Sequence, residues 1–382
     1  MIRRPYMSAS LGCYSISSKK TLDFGNCVVN IITTDVMPIY SLGSNGSGQL
    51  GLAHNQDVST PALLALPPEL RQDLVASIRA GGNHTLIRTS SSSIYSTGNN
   101  IDGRCVSATL KSTSHVQSIA SKASLCAATW EASFFVSQDY ASVWSVGTGL
   151  KGELGLTAST TLTNSPTLIP HFPPSSTNLV HRAACMGHVV AVLSNGEVWG
   201  WGNGQQGQLG EPAEVVWQPR KVHGVNFNAV RAVCGKDFTA VFGEPGEGLV
   251  LVVGVRKRDR FGIRSCAPAT LPNWQDVQAT WGGVYVLKND HSLLAWGRDD
   301  HGQLPPAELP QIDAFAAGSE HVLALTITGE VLAWGWGEHG NCGEPVDERK
   351  DVTGRWNKLE VPGVPISVGA GCATSWIITT DG

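Results

Sequence analysis

The fold this sequence predicts is an all-β, seven-bladed propeller, closed by pairing its N-terminal and C-terminal strands. Three observations carry that reading. One strand-and-turn pattern recurs seven times, a second strand pattern recurs seven times between the copies of the first, and each chain end supplies half of a hairpin. Neighbouring copies lie about 38 to about 55 residues apart, which is the arithmetic of small sheets arranged radially. One such sheet cannot bury both faces, whereas seven in a ring can.

The first pattern is an apolar strand ending in an aromatic-x-x-Gly or Trp-Gly step, followed by a turn-rich loop. It opens at Ile39–Gly51 (IYSLGSNGSGQLG) and returns at Ile94–Gly98, at Val143–Gly155 (VWSVGTGLKGELG) and at Val198–Gly210 (VWGWGNGQQGQLG). A worn fifth copy lies at Leu249–Gly262 (LVLVVGVRKRDRFG). Leu293–Leu304 (LLAWGRDDHGQL) and Val331–Gly343 (VLAWGWGEHGNCG) complete the set. The second and fifth copies are degenerate. The glycines of these loops read as turn residues needing positive φ. Trp144, Trp199, Trp296 and Trp334 read as one repeated position that packs between blades. Trp130, Trp201, Trp281, Trp336 and Trp376 then stand as extras.

The second pattern is a small-residue approach to an apolar strand. Its copies are AGGNHTLI (80–87), AATWEASFFV (127–136), AACMGHVVAVL (183–193), AVCGKDFTAVF (232–242), ATWGGVYVL (279–287), AAGSEHVLAL (316–325) and VGAGCATSWII (368–378). Short turns such as Ser194–Glu197 and Thr326–Glu330 join these strands to the next Trp-Gly strand, so the pairs read as hairpins. The last strand, Thr374–Thr379, has no partner after it, and Ile39–Gly43 has none before it. Pairing the two completes a blade, each net hydrogen bond contributing ~0.5–1.5 kcal/mol.

Residues 1–36 stand apart. Arg3, Arg4, Lys19 and Lys20 precede the first acid, Asp23, among many serines. A mitochondrial presequence has such a composition, but no basic amphipathic helix is clear, and a secretory signal would need an apolar core. The segment reads as a disordered or alternatively started extension, with Met37 opening directly into the propeller at 37–382. No apolar run approaches the ~18 residues of a membrane span.

Composition narrows the classes further. The 43 glycines sit beside 42% hydrophobic residues without a three-residue period, so neither collagen nor bulk disorder fits. A formal charge of −4 disfavours a general polyanion binder. The nine cysteines form no CxxC pair, and their number is odd. They read as reduced core thiols of a cytosolic or nuclear protein.

Catalytic motifs are missing. The chain carries no GxxxxGK[ST], HExxH or GxSxG, so the reading is non-enzymatic, with no cofactor and no metal. His84, His188 and His321 recur at one repeat position, as structural hydrogen bonders do. His339 and Cys342 are too few ligands for a zinc site of their own.

Hairpin topology does place a face. Ser319–His321 and Gly337–His339 should be neighbours, opposite the turn at Thr328–Gly329, and repeat equivalence brings Asn83, Lys236 and Asp237 to the same side. The candidate partner-binding residues there are Trp130, Glu131, Trp281, Glu320, His321, Trp336, Glu338 and His339. Tryptophans are favoured interface anchors, and the glutamates give acidic points suited to a basic or metal-bearing partner. The run Arg256–Arg260 replaces the fifth loop. It reads as a solvated loop, or as a contact for RNA or an acidic partner.

GSNGSGQLG, GNGQQGQLG, GLKGELG and the Gly-x-x-His strands resemble the repeats of the regulator of chromosome condensation (RCC1) superfamily. GSEHVLALT, WGWGEHGNCG and GAGCATSWII, with the opening IYSLGSNGSGQLGL, resemble its fungal alpha-tubulin suppressor subfamily. That resemblance implies a non-enzymatic, cytosolic and nuclear propeller; ring closure, which hides the sheet edges, argues for a monomer. It would dock a small CSL-type zinc-finger protein bearing a Cys-bound metal. The resemblance implies support of diphthamide synthesis on elongation factor 2 and of Elongator-dependent tRNA wobble-uridine modification, with the Elongator complex a second candidate partner. Direct DNA binding is not expected. The alternative class is guanine-nucleotide exchange on a small GTPase, by analogy with the founding member of the superfamily.

Overall fold

The second strand of each repeat is the most apolar stretch of the chain. His188–Leu193 (HVVAVL) and His321–Thr326 (HVLALT) are buried at every position. A strand with one solvated face would alternate. These do not, because a neighbouring blade covers each face. The outer strand Leu162–Leu168 is half-buried to exposed throughout.

The computed structural model describes residues 37–380 apart from Gln72 and 108–110, together with a hairpin pairing Lys20–Asp23 with Val28–Ile31. The remainder of the expected disordered extension over 1–36 lies outside the described residues.

Seven antiparallel sheets form the blades. Blade 1 draws Val364–Ala370 and Thr374–Thr380 from the end of the chain and Ile39–Gly43 and Val58–Leu63 from its beginning. Ile377 pairs with Tyr40 and Trp376 with Ser41, so the ring closes as expected. Blade 2 comprises Val75–Ala80, His84–Thr89, Ser93–Asn99 and Ser112–Lys122. Blade 3 comprises Leu125–Ala128, Ala132–Val136, Val143–Thr148 and Leu162–Leu168. Blade 4 comprises Leu179–Cys185, His188–Leu193, Val198–Asn203 and Val215–Lys221. Blade 7 comprises Ile312–Ala317, His321–Thr326, Val331–Trp336 and Asp351–Lys358.

Blades 5 and 6 have three strands. They are Arg231–Cys234, Phe238–Phe242 and Val250–Gly254, then Trp274–Ala279, Gly283–Lys288 and Leu293–Gly297. The degenerate second repeat thus builds a full blade. The fifth loses its outer strand, and so does the sixth, whose Trp-Gly step is intact. In blade 6 the missing strand would run through Pro305, Pro306 and Pro310, which have no N–H to give a ladder.

The strand registers correct the grouping of the tryptophans. In each blade the glycine opposite the start of the second strand marks a common level: Gly202 pairs with His188, Gly297 with Gly283 and Gly335 with His321. Trp201, Trp296 and Trp334 each precede that glycine and are 1%, 9% and 0% exposed. Trp144 and Trp199 lie two residues further back, level with Tyr40 and Tyr95. Strand side chains alternate with period two, so both positions share a side, and in VWGWG the second Trp is the equivalent of Trp334. Each of the three indoles donates to the loop of the preceding blade: Trp201 to Glu153 O (2.8 Å), Trp296 to Ile263 O (2.9 Å) and Trp334 to Gln303 O (2.9 Å). The glycine itself is required. Gly335 has φ 100°, and a Cβ there would lie 2.6 Å from Glu320 O.

Candidate functional site

The turn between the first and second strands of each blade and the glycine-rich loop after the third lie at one end of the ring. The Asn203 N–H donates to Gly187 O at 2.6 Å and the Trp336 N–H to Glu320 O at 2.9 Å. Seven equivalent turn residues encircle the channel mouth: Gly82, Trp130, Met186, Lys236, Trp281, Ser319 and Cys372. Backbone bonds stitch neighbours together, as from Trp130 N to Met186 O (2.8 Å) and from Trp281 N to Ser319 O (2.8 Å). The face expected from topology therefore exists, and it joins the candidate residues in two groups.

The first group sits at the mouth. Trp130 and Trp281, both half-buried, touch each other with ring centroids 5.7 Å apart. Glu131 lies 3.4 Å from Arg104, whose guanidinium also forms two 2.7 Å bonds to Asp102. Glu320 is buried, ion-paired with Arg298, and accepts from Gln303 Nε2 at 2.8 Å. Burial pushes its pKa up, and the bonds from Gln303 and Arg298 oppose that shift.

The second group is a rim patch between blades 6, 7 and 1. Trp336 is half-buried. His339 stands edge-on to it at 5.3 Å, and His301 lies 6.5 Å away. Each imidazole is oriented by an aspartate of the following blade: His339 Nδ1 is 2.7 Å from Asp57, and His301 Nδ1 is 3.0 Å from Asp351. With Nδ1 held, Nε2 is the nitrogen left for another molecule. Glu338 is exposed beside them.

His321 departs from its expected role at the interface. It is fully buried, with Nε2 2.9 Å from Ser375 Oγ of blade 1, and Ser375 in turn donates to Asn341 O at 2.8 Å. His84 meets Ser133, which donates to Arg104 O, and His188 meets Thr239, which donates to Gln208 O. The recurring histidine is an inter-blade clamp. Burial lowers the pKa of His84 to about 3 and of His188 and His321 to about 4, so all three are neutral near pH 7.

Other sequence candidates separate as well. Cys342 is buried with its thiol toward Trp336 O, while His339 turns to Asp57, so the two do not share a ligand. The seven described cysteines are unpaired, and no cluster of three metal-ligating side chains occurs among the described residues. In the basic run, Arg256 reaches Glu211 at 3.3 Å, and Arg260 stacks over Phe261 with Arg298 also near that ring.

Sequence reasoning missed His301, Asp57, Asp351 and Arg298. The signal for His301 was present, because Asp300-His301-Gly302-Gln303 and Glu338-His339-Gly340-Asn341 are the same step in adjacent loops. The aspartates had no comparable mark, since their role depends on contact between blades.

The RCC1-like domain model matches residues 38–377. An RCC1 repeat-containing protein of Schizosaccharomyces pombe is 31% identical over 373 residues, spanning 90% of this chain and 99% of that protein. The secretion-regulating guanine nucleotide exchange factor of Mus musculus is 26% identical over 400 residues, spanning 86% and 79%. The crystal structure of Prp20p from Saccharomyces cerevisiae superposes with a TM-score of 0.75 at 21% identity, covering 91% of this chain and 92% of that one; this likeness concerns the fold. The chain belongs to the RCC1-like domain family.

Proposed function

We propose that this RCC1-like propeller is a docking module that works by binding another protein, with its contact surface on the rim patch of blades 6, 7 and 1. The observation that carries the proposal is Trp336 flanked by two aspartate-oriented imidazoles, with Glu338 exposed beside them. An indole with an apolar body and polar neighbours is the composition of an interface anchor, and ordering the imidazoles beforehand lowers the entropic cost of binding. The acids that reach the surface around it, Asp57 and Glu338, suit a basic or metal-bearing partner; Asp351 is buried and serves to orient His301.

The first partner we assign is a small CSL-type zinc-finger protein, in the cytoplasm and nucleus. The activities that follow are support of diphthamide synthesis on elongation factor 2 and, with Elongator, of tRNA wobble-uridine modification. This reading draws on the resemblance of the C-terminal segments, which include Glu320, Trp336, Glu338 and His339. The second reading is nucleotide exchange on a small GTPase, favoured by relatives named as exchange factors. Either role is binding without bond-making chemistry by this chain, because exchange remodels a GTPase through differential affinity for its states.

Two measurements decide between them. The zinc-finger reading expects co-purification of the two proteins, weakened about tenfold or more by Trp336→Ala or Glu338→Lys while the propeller stays folded. Unchanged binding by both variants would move the contact off this patch. The exchange reading expects purified protein to accelerate nucleotide release from a small GTPase, and no acceleration across a panel removes it.

A further inference from the structure

The innermost strands enclose a channel of about 1000 Å3, lined by four arginines: Arg79, Arg88, Arg182 and Arg231. Arg79 donates to Ile78 O at 2.8 Å and Arg182 to Cys126 O at 3.1 Å. Among the described residues, neither has an ion-pair partner. Of the channel acids, Asp276 is engaged by Arg231 and, at 2.9 Å, by the Gln278 amide; Asp313 and Glu244 complete the set. The Nε atoms of Arg88 and Arg231 are buried with no hydrogen-bond partner.

Four guanidiniums against three carboxylates leave the channel lining with an excess of positive charge. Burial pushes Arg182 down to about 9, and the guanidiniums of Arg79, Arg88 and Arg231 add to that shift. His181 is held well below its usual range by burial and by the guanidiniums of Arg231, Arg182 and Arg79. Arg79 is exposed to the channel and Arg88, Arg182 and Arg231 are half-buried; like charges brought this close repel, and folding alone offers no reason to converge them.

We propose that the channel is a binding site for a small multivalent phosphate anion, held by Arg79, Arg182 and Arg231. Guanidinium forks present paired N–H donors that match phosphate oxygens. Arg79 and Arg182 have no carboxylate paired to them, and Arg231 shares Asp276 with Gln278, so a ligand with several anionic oxygens would supply the partners these forks lack. The cavity lies at the top of the usual range for small-molecule sites, roughly 300–1,000 Å3. Trp130 and Trp281 meet across one end, so the ligand enters from the other, past Asn195 and Asn228. A folded protein cannot follow that route, which makes this site independent of rim docking.

Calorimetric titration of the full chain with inorganic pyrophosphate at low ionic strength tests the proposal. Saturable one-to-one binding is expected, weakened about tenfold or more by Arg79→Gln or Arg182→Gln, the loss of one charge-assisted contact. Arg182→Lys should lose part of the affinity, since it keeps the charge without the fork. Lys257→Gln, on the exposed basic loop, should change nothing. Without ligand, Arg182→Gln should melt no lower than the parent protein, because it removes repulsion. No binding of pyrophosphate, or equal binding by both glutamine variants, overturns the proposal. Tighter binding of citrate than of pyrophosphate overturns the phosphate assignment.

Discussion

Trp130 and Trp281 meet with ring centroids 5.7 Å apart and planes at 49°, although they belong to blades 3 and 6, which are not neighbours in the ring. The contact spans the channel mouth. Trp130 also lies over Gly82, where a Cβ would come within 2.7 Å of the indole. Two side chains that looked like independent partner anchors are therefore first of all each other's partners.

That relationship is measurable as a coupling. Trp130→Ala and Trp281→Ala should be non-additive in urea unfolding, with an interaction energy of about 0.5–1.5 kcal/mol, the usual value for a tilted aromatic pair. Additive effects would mean that the indoles do not touch in solution.

The three buried clamp histidines set an acid limit on stability. His84, His188 and His321 each leave a buried Nδ1 without a partner, so protonation in the folded state would bury an uncompensated charge. The unfolded chain takes these protons near pH 6.5, while the folded chain resists until about 4, or about 3 for His84. Below 6.5 the unfolded state binds more protons, so stability is full above that value and falls as the pH drops toward 4. Each histidine contributes a slope of up to about 1.4 kcal/mol per pH unit. Urea midpoints should drop steeply between pH 7 and pH 5, and His188→Gln should flatten the curve. A flat profile would contradict neutral burial.

Much of this architecture was legible in the chain itself. Seven alternating copies with no partner strand at either end dictate a closed ring, and the Tyr40–Ile377 pairing follows from that pattern. The Gly-x-x-His copies correctly announced a structural histidine. What could not be read was anything requiring two blades at once. Asp57 lies in an unremarkable loop, yet it orients a histidine 282 positions away. The tryptophan grouping failed for a different reason: matching on Trp alone overlooks that the glycine sets the register, so Trp199 stood in for Trp201. Arg79, Arg182 and Arg231 occur in three separate repeats at non-equivalent positions, and only the ring brings them together.

A buried ion pair holds blade 2 to blade 3. Asp102 accepts two 2.7 Å bonds from Arg104 and one of 2.6 Å from Thr148 Oγ1, with both members of the pair nearly fully buried. Although burial alone would raise the Asp102 pKa, these bonds hold it below the usual carboxylate range. Asp102→Ala leaves the buried Arg104 guanidinium with the longer 3.4 Å ion pair to Glu131 and should cost about 3–5 kcal/mol by chemical denaturation. A loss under about 1 kcal/mol would place the pair in solvent.

Ring closure makes the two ends of the propeller one cooperative unit. Ile377 and Ile39 are wholly buried in blade 1, and the Thr374–Thr380 strand pairs Ile39–Gly43 with the inner part of that blade. Ending the chain after Gly371 removes this strand. It exposes the inner edge of Ile39–Gly43 and uncovers the faces of blades 2 and 7 that blade 1 covers. The truncated chain should show no cooperative melting transition, because the lost apolar contacts belong to three blades at once. Connectivity is a separate matter from contact. A circular permutant that links position 380 to position 37 through a flexible linker, and opens at the exposed turn Thr328–Gly329, keeps every strand pair. It should melt close to the parent protein. A truncated chain that melts normally, or a permutant that does not fold, would show that closure of the ring is not what stabilises it.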